Sequence, residues 1–520
     1  MKTNKFNINK LYSVLIAGLM LMMVSCDKEV TDLQPLDRIT ESLAFSTPAR
    51  VELSMTGVYD AAQSGFYLGG AVRGYPFGAA NVEQGDMRGE DMLNVAAFYA
   101  ITYEANYSPG SANNVYMWHT LYNTINKANI IIEGVQGAVA KGVITDAQAK
   151  SYEGEARFLR ALCHHELLIH FARPYNHTAD ASHMGVPYRT AAVNSSARLD
   201  SEIQKGRNSV AECYKLLLED LKFAEDNLPD SRTGNSKITR ATKAAAFALE
   251  SRVQLHKGDM QAVIAAGNKV SGYSLTASPD GPFSSYAVNS ESIFSIENSD
   301  TDNPGVNGSL PNMFGVAPGR ALIAISPIMY NNPAWLEGDL RRKLLVSEAA
   351  NGFFSYKYRK VATQEDFNPI IRYAEVLLNS AEANARTGNA AKGLELLNQV
   401  RNRSVTNTAD QFTSSSFSSD NDLIAAILFE RRIEFLGEGK RWPDLHRLAK
   451  NAGTGIPAKV AFGNTTKASW GFGLNYQDGQ YTGTLKIVAR PYDDFRFLWP
   501  IPQDELNTNE VLRAQQNPGY

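Results

Sequence analysis

The spacing of apolar residues constrains the fold of this chain more than any other feature, because it follows the α-helical period over long stretches. Trp118, Leu121, Tyr122, Ile125 and Ile132 recur at intervals of three, four and seven residues. Residues at these intervals lie on one face of a helix. The pattern predicts an amphipathic helix that buries this face.

Two further helices have well-marked starts. Ser209 with Glu212 opens one, and Thr145 with Gln148 opens the other. In this arrangement the hydroxyl and the residue three positions later bond to each other's free backbone N–H groups. A proline follows the end of each apolar pattern and stops the helix.

Two stretches have the features of paired helices in a tetratricopeptide repeat. Each has an alanine-rich helix followed by a turn, at Gly258-Asp259 in the first and Gly388-Asn389 in the second. Alanine lets two helix axes approach, and glycine permits the sharp turn between them. Because residues 271–369 separate the two stretches, the scaffold is an interrupted one. We therefore expect a mainly α fold.

The interruptions differ from the scaffold in composition. They are rich in Gly, Asn, Ser, Pro and aromatic residues and show little helical periodicity. Long insertions of this kind on a repeat scaffold tend to carry the binding function. We expect one domain over residues 26–520, with its scaffold mainly in 115–270 and 370–450, ligand-binding insertions at about 64–114 and 271–369, and a closing segment at 451–520.

The N-terminus has the pattern of a lipoprotein signal peptide. Three lysines precede an apolar run from Leu11 to Val24, and Ser25-Cys26 follow it. The run is shorter than the roughly 20 residues that a membrane-spanning helix needs. Met23-Val24-Ser25-Cys26 is interpreted as a lipobox, so we expect residues 1–25 to be removed and Cys26 to be acylated.

Charge and cysteine content limit the partners. The formal net charge is −3, and removal of the N-terminal lysines would make the chain more acidic. Nucleic acid is therefore not an expected partner. Cys163 and Cys213 lie inside apolar helical patterns, where a buried thiol is the usual state, and a bridge between them stays open.

Metal binding and catalysis have little support in the sequence. His165 and His170 are five residues apart, whereas the helical metalloprotease motif needs a separation of four. No phosphate-binding loop, nucleophile elbow or cofactor fingerprint stands in a strand-to-helix context. We expect no metal, no cofactor and no enzymatic activity.

Carboxylates and arginines alternate along a helix near residue 430. Glu430, Glu434 and Glu438 lie at helical spacing among Arg431 and Arg441. Carboxylates interleaved with arginines normally form ion pairs, whereas glycoside hydrolysis needs one carboxyl with a raised pKa. We expect these residues to brace the scaffold.

This segment and several others resemble one family. The segment from Glu430 to Arg447 reads ERRIEFLGEGKRWPDLHR and is similar to the characteristic helix and turn of SusD/RagB proteins. Further similar segments are Trp118–Tyr122, Arg372–Leu378, Phe497–Pro502 and Gln515–Tyr520. The likeness spans the whole chain.

The resemblance implies a fold and a function. The fold has about four tetratricopeptide-like helix pairs packed against an irregular ligand-binding region. Family members are lipid-anchored on the outer membrane and face the exterior. They cover a SusC-like TonB-dependent transporter, to which they deliver captured oligosaccharides or, in some branches, peptides. Three hypotheses stay open: glycan capture, peptide capture, and a structural transporter lid without its own ligand.

The insertions supply the side chains that a sugar site needs. The C–H face of a pyranose stacks on an aromatic ring, and its hydroxyls bond to polar groups nearby. Trp335 is the first candidate because it follows Asn331-Asn332-Pro333-Ala334, a polar loop in which a large ring has no evident packing role. The other candidates are Tyr67, Tyr75, Arg88, Asn94, Tyr99, Phe283, Phe314 and Tyr330.

Overall fold

The structure is a computed structural model that describes residues 41–64, 73–284, 288–349, 352–461, 481 and 485–520. Helices dominate the described residues. In chain order they are α1 Glu41–Ala44, α2 Pro48–Gln63, α3 Ala79–Met87, α4 Ala97–Tyr103, α5 Ala112–Ala140, α6 Asp146–Phe171, α7 Ser196–Glu202, α8 Val210–Asn227, α9 Ser236–Thr239, α10 Lys243–Lys257, α11 Met260–Lys269, α12 Gly281–Ser284, α13 Leu310–Phe314, α14 Pro327–Tyr330, α15 Leu340–Leu344, α16 Tyr373–Arg386, α17 Ala390–Arg401, α18 Asp420–Glu434, α19 Arg441–Ala452, α20 Gln503–Thr508 and α21 Glu510–Arg513.

Four pairs of consecutive helices form the scaffold, which confirms the predicted mainly α architecture. Three are α5/α6, α10/α11 and α16/α17, whose members pack directly against each other, and the fourth is α18 followed by α19, of which α18 packs against α16 and α17. Helix α8 packs against both α6 and α10, and α11 packs against α16, so the row is continuous although its helices are far apart in the sequence.

The helix ends follow the local sequence as predicted. The Ser209 hydroxyl accepts from the N–H of Glu212, and Thr145 and Gln148 form a reciprocal capping box. Gly258 ends α10 with φ +87°, and Gly388 lies between α16 and α17 with φ +82°. Both values are in the left-handed region, which glycine adopts without a steric penalty.

Short strands hold the insertions together. A four-stranded antiparallel sheet has the order β1 (Met92–Asn94), β3 (Ile323–Ile325), β5 (Gly352–Ser355) and β4 (Val346–Ala349). Its first strand comes from the first insertion and the others from the second. A second sheet pairs β2 (Ser292–Ile296) with β6 (Asn368–Arg372), and a third pairs β7 (Thr454–Ile456) with β8 (Arg490–Pro491).

The large core lies among the helices, and a second core lies beneath the insertions. The second core contains Trp335, Phe314 and Phe353 around the four-stranded sheet. Cys163 and Cys213 are both buried as free thiols. Within the described ranges, none of the helices combines the length and the apolar character needed to cross a bilayer.

A buried ion network joins the insertions to the scaffold. Arg372 binds Glu438 at 2.7 Å and Glu434 at 3.0 Å, and Arg341 binds Glu434 at 3.0 Å and Glu430 at 2.6 Å. These five side chains are at most 2% exposed. Such groups are stable in the interior only when each charge is matched. The carboxylates therefore brace the scaffold, as their spacing predicted.

The turn after α18 needs its glycines. Gly437 and Gly439 have φ +76° and +72°, and they flank Glu438. A Cβ atom on Gly85 of α3 would lie 2.2 Å from the carbonyl oxygen of Gly439. The contact between α3 and this turn therefore depends on the missing side chains, and it fixes the first insertion against the ion network.

Candidate functional site

The predicted ligand-binding residues are mostly buried. Tyr67 and the lipidation site Cys26 lie outside the described residues. Tyr330 is half-buried. The remaining seven are at most 5% exposed: Tyr75, Arg88, Asn94, Tyr99, Phe283, Phe314 and Trp335. Their burial gives them packing roles and leaves little of each side chain for a saccharide to contact.

The local sequence suggested that the Trp335 ring has no packing role, and the structure contradicts this. The polar loop before it folds over the second core, and the ring is only 1% exposed. The guanidinium of Arg342 lies 4.4 Å from the centroid of the Trp335 ring and 4.7 Å from that of Tyr330. Phe353 stacks on Tyr330 at 3.9 Å. Neighbouring side chains therefore occupy the ring faces that a sugar would use.

Arg88 is held in the large core. Its guanidinium lies 3.6 Å from the centroid of the Trp442 ring and bonds His170 at 3.2 Å. It also donates to the carbonyl of Phe497 at 2.5 Å. The Trp442 indole donates to the carbonyl of Ile169 at 3.1 Å, so this tryptophan packs down as predicted.

A polar cleft of about 320 Å³ lies where the second insertion meets the scaffold. This volume falls at the lower end of the range for small-molecule sites, about 300–1,000 Å³. We call it the loop–scaffold cleft, and it is lined by Thr56, Tyr59, Asp60, Gln63, Ser236, Thr239, Arg240, Ile296, Glu297, Asn298, Ser299 and Asp302.

The last turn of α2 forms one wall of the cleft. The helix starts at Pro48 after the Thr47 cap and ends at Gln63, immediately before the first insertion. Helical spacing brings Tyr59 and Gln63 onto one face. The Gln63 amide donates to the carbonyl of Glu297 at 2.8 Å and to that of Asp302 at 3.2 Å. This amide fastens the opposite wall to the helix.

The opposite wall is the loop that follows β2. It closes on itself through the N–H of Ser299, which donates to the carbonyl of Asp302 at 2.8 Å. The N–H of Asp302 donates to the Ser299 hydroxyl at 3.0 Å. The amide of Asn303 donates to the Ser299 carbonyl at 2.8 Å. These bonds fix the loop and leave Asp302 exposed.

The third wall carries a cation whose charge is already matched. Arg240 donates to Glu155 at 2.5 and 2.9 Å and to Glu52 at 2.6 Å. Its guanidinium lies 5.0 Å from the centroid of the half-buried Tyr59 ring. Arg240 therefore has no net positive charge to offer a ligand.

Asn298 is an unusual member of the lining. The residue is 4% exposed. Its amide nitrogen donates to the carbonyl of Asp366 at 2.7 Å, whereas its Oδ1 has no donor in the described part of the chain. An acceptor left buried without a donor costs roughly 1–3 kcal/mol. A hydroxyl group bound in the cleft is one donor that would remove this cost.

The other larger clefts lack such an atom. A 350 Å³ cleft lies beside α5, a 500 Å³ cleft beside the C-terminal segment, and a 620 Å³ cleft next to Phe495. Among the described residues that line them, none has a buried side-chain polar atom without a partner. In the first, Asn126 and Asn129 already bond the backbone of residues 189–193.

Two of the clustered histidines use both ring nitrogens in internal hydrogen bonds. His164 bonds the carbonyl of Arg160 at 2.9 Å and the N–H of Arg189 at 3.1 Å. His183 bonds Thr178 at 3.0 Å and the carbonyl of Arg173 at 3.2 Å. Across the described ranges, no three His, Cys, Asp or Glu side chains are grouped as metal ligands.

One wall of the loop–scaffold cleft comes from the predicted insertion 271–369, but none of the predicted ligand-binding residues lines the cleft. The polar run from Glu297 to Asn303 lies in the predicted segment 271–369 and follows a strand directly, which is the usable signal. Nothing in the local pattern distinguishes Asp60 on α2, or residues 236–240, from ordinary surface positions. They join the cleft only through the tertiary fold.

Models of known protein families match both the N-terminal and the C-terminal parts of this chain. A family model described as "Starch-binding associating with outer membrane" matches residues 72–255, and one described as "SusD family" matches residues 347–520. The chain belongs to the SusD-like family. The match over residues 347–520 includes Arg372, Glu434 and Glu438 of the ion network.

Individual relatives agree along nearly the full length. SusD-like protein P2 from Formosa agariphila is 23% identical over 98% of this chain and all of that protein. A crystal structure of a SusD superfamily protein from Bacteroides fragilis is 28% identical, has a TM-score of 0.75, and covers 90% of this chain and 99% of the other. A putative sugar-binding protein from Bacteroides vulgatus shares the fold, with a TM-score of 0.72 at 22% identity, over 91% of this chain and 99% of that one.

Proposed function

We propose that this SusD-like protein captures oligosaccharides in the loop–scaffold cleft. The observation that carries the proposal is Asn298 Oδ1, a buried acceptor without a donor in a cleft whose carboxylates on Asp60 and Asp302 have no ion-pair partner among the described residues. Saccharides supply many hydroxyl donors at close spacing, and these acceptors could bind them.

The names of similar proteins support a carbohydrate ligand. The family model over residues 72–255 is described as starch-binding. The Bacteroides vulgatus protein that shares the fold is described as a putative sugar-binding protein. We propose the cleft, and not the buried aromatic residues of the second core, as the position of the carbohydrate.

The proposed cellular setting is the outer membrane. The family description includes association with the outer membrane. Acylation of Cys26 would anchor the chain there, facing the exterior, because each acyl methylene buried in a bilayer contributes about 0.8 kcal/mol. Delivery of the captured ligand to a SusC-like TonB-dependent transporter completes the proposal and rests on the family resemblance.

We propose binding without bond cleavage. Burial alone would raise the pKa of Glu434, but Arg403, Arg372 and Arg341 outweigh it and hold the pKa below its usual range. The pKa of Glu438 is also lowered, by Arg372 and Lys357 against the opposing effect of burial. Carboxylates held ionised in this way do not serve as the protonated acid that glycoside hydrolysis needs.

Calorimetry with the purified full-length protein tests the proposal. A panel of malto-, cello-, xylo-, manno- and galacto-oligosaccharides is titrated into the protein, and the best ligand is then titrated into Asp302→Ala. Asp302 is exposed, and its side chain makes no hydrogen bond or ion pair with a described residue, so the variant should fold normally. We expect at least about tenfold weaker binding from the loss of a charge-assisted hydrogen bond.

Three outcomes would contradict the proposal. One is the absence of binding to every saccharide, and another is tight binding of an extended peptide instead. The third is sustained release of shortened products during incubation. Asp200→Asn, an exposed position on α7, is the control and should bind like the wild type.

A further inference from the structure

The loop–scaffold cleft is lined by more acidic than basic side chains. Three of its lining residues are acidic, Asp60, Glu297 and Asp302, and one is basic. The basic residue, Arg240, is paired with both Glu52 and Glu155. No Lys or Arg lies within ion-pair distance of Asp60 or Asp302 in the described ranges. The cleft therefore presents excess negative charge.

The donors named for this cleft bond within the protein, whereas several of its acceptors do not. The Gln63 amide is occupied by two backbone carbonyls, and the Asn298 amide by the Asp366 carbonyl. The Thr239 hydroxyl donates to Glu297 at 3.1 Å. These donors are used internally, whereas the two aspartate carboxylates and Asn298 Oδ1 accept no hydrogen bond from a described residue. The ligand must supply the donors.

The charged groups around Asp60 also indicate an acidic cleft. Burial raises the pKa of Asp60, and the nearby Asp302 carboxylate raises it further, whereas Lys127 opposes the increase. Lys127, whose ammonium group donates to the carbonyl of Gly57 at 3.3 Å, offsets part of the negative charge of Asp60, and the three acidic side chains of the lining still outnumber the nearby unpaired cation. An additional anion brought into the cleft would meet both carboxylates at close range.

We infer that Asp60 and Asp302 act as a charge filter, so that the cleft accepts uncharged, hydroxyl-rich saccharides and rejects those that carry carboxylate or sulfate groups. This inference rests on the proposed function and narrows it to a ligand class. The two aspartates are then specificity-determining residues, since a hydroxyl donates to a carboxylate and an anionic group of the ligand cannot.

The test uses matched ligands and isosteric variants. The neutral oligosaccharides of the panel are compared with counterparts oxidised to carboxylates at C6, by calorimetry with the full-length protein at low salt. We expect the neutral form to bind at least about tenfold more tightly. In the Asp60→Asn/Asp302→Asn double variant the difference should shrink to about threefold or less, because asparagine keeps the size and removes the charge.

Two controls keep the outcome interpretable. Asp200→Asn removes one exposed charge away from the cleft and should keep the full difference between neutral and oxidised ligands. Raising the salt concentration should narrow the difference for the wild type and leave the double variant nearly unchanged, because salt screens exposed charges. Circular dichroism and thermal unfolding establish that both variants are folded.

The possible failures are distinct. If no saccharide binds, neutral or oxidised, the proposed function fails. If an oxidised oligosaccharide binds the wild type as tightly as its neutral counterpart, or if the double variant keeps the full difference, only the charge filter fails. Tighter binding of a lysine-rich peptide than of any saccharide would overturn the inferred ligand class.

Discussion

The guanidinium of Arg372 and the carboxylate of Glu438 form a two-point contact in the interior, with donor–acceptor distances of 2.9 and 2.7 Å. Arg372 is the N-cap residue of the scaffold helix α16, and Glu438 lies in the glycine turn that contacts the first insertion. Lys357 of the second insertion also binds Glu438, at 2.6 Å. One carboxylate therefore links three parts of the fold.

Removal of this carboxylate's charge should destabilise the protein strongly. Glu438→Gln leaves Arg372 and Lys357 with less compensation in a site that is about 1% exposed, so the free energy of unfolding should fall by about 3–5 kcal/mol. Urea denaturation measures the change. Glu395→Gln, in an exposed pair with Lys392, is the control and should cost less than about 1 kcal/mol. Equal effects of both variants would contradict the bracing role.

The close contact of α3 predicts intolerance to one added methyl group. Gly85→Ala would place Cβ 2.2 Å from the carbonyl oxygen of Gly439. The backbone must move apart, at a cost of about 1–3 kcal/mol. Gly57→Ala in α2 has nothing within 4 Å of the new atom and should stabilise the helix by roughly 0.5–1 kcal/mol. Thermal unfolding of both variants measures these opposite shifts.

The buried histidines predict a loss of stability in mild acid. Burial lowers the pKa of His164, His165 and His446 to about 3, whereas an unfolded histidine titrates near 6.5. Stability is therefore fully present above about pH 6.5 and falls as the pH drops toward 3, by roughly 1–2 kcal/mol for each histidine at pH 5. Urea midpoints between pH 7.5 and 5 measure this loss. A flat profile would be inconsistent with neutral buried histidines.

Trp335 should prove to be a core residue. Trp335→Ala should lower the free energy of unfolding by about 3–5 kcal/mol, because the ring is 1% exposed. Trp335→Phe keeps most of the packing, and its affinity for the best oligosaccharide should be unchanged in calorimetry. Weaker binding by a Trp335→Phe protein of normal stability would restore the ligand role that the sequence suggested.

Lipid attachment should depend on Cys26. Cys26→Ser removes the only proposed acyl acceptor, so cells grown with radiolabelled palmitate should yield unlabelled protein in the soluble fraction. Cys213→Ser is the matched control, because that thiol is buried against the carbonyl of Val186 and should not be acylated. Label retained by Cys26→Ser would refute the lipobox interpretation.

The sequence by itself determined the helical elements and the family. The capping pair Ser209 and Glu212 and the turn glycine Gly258 act through residues within a few positions, so the local pattern contains the whole cause. The ion pairing of Glu434 could also be predicted from the local sequence, because carboxylates interleaved with arginines along a helix normally form ion pairs. The described helices confirm these expectations.

The tertiary structure alone decided which side chains are exposed and where the cleft lies. Trp335 is buried by Arg342 and by a core assembled from both insertions, and its own loop gives no sign of this. Asp60 and Asp302 are brought together across 241 intervening residues by the Gln63 amide and the β2–β6 pair. Exposure and charge complementarity depend on contacts between distant segments, and local periodicity does not encode them.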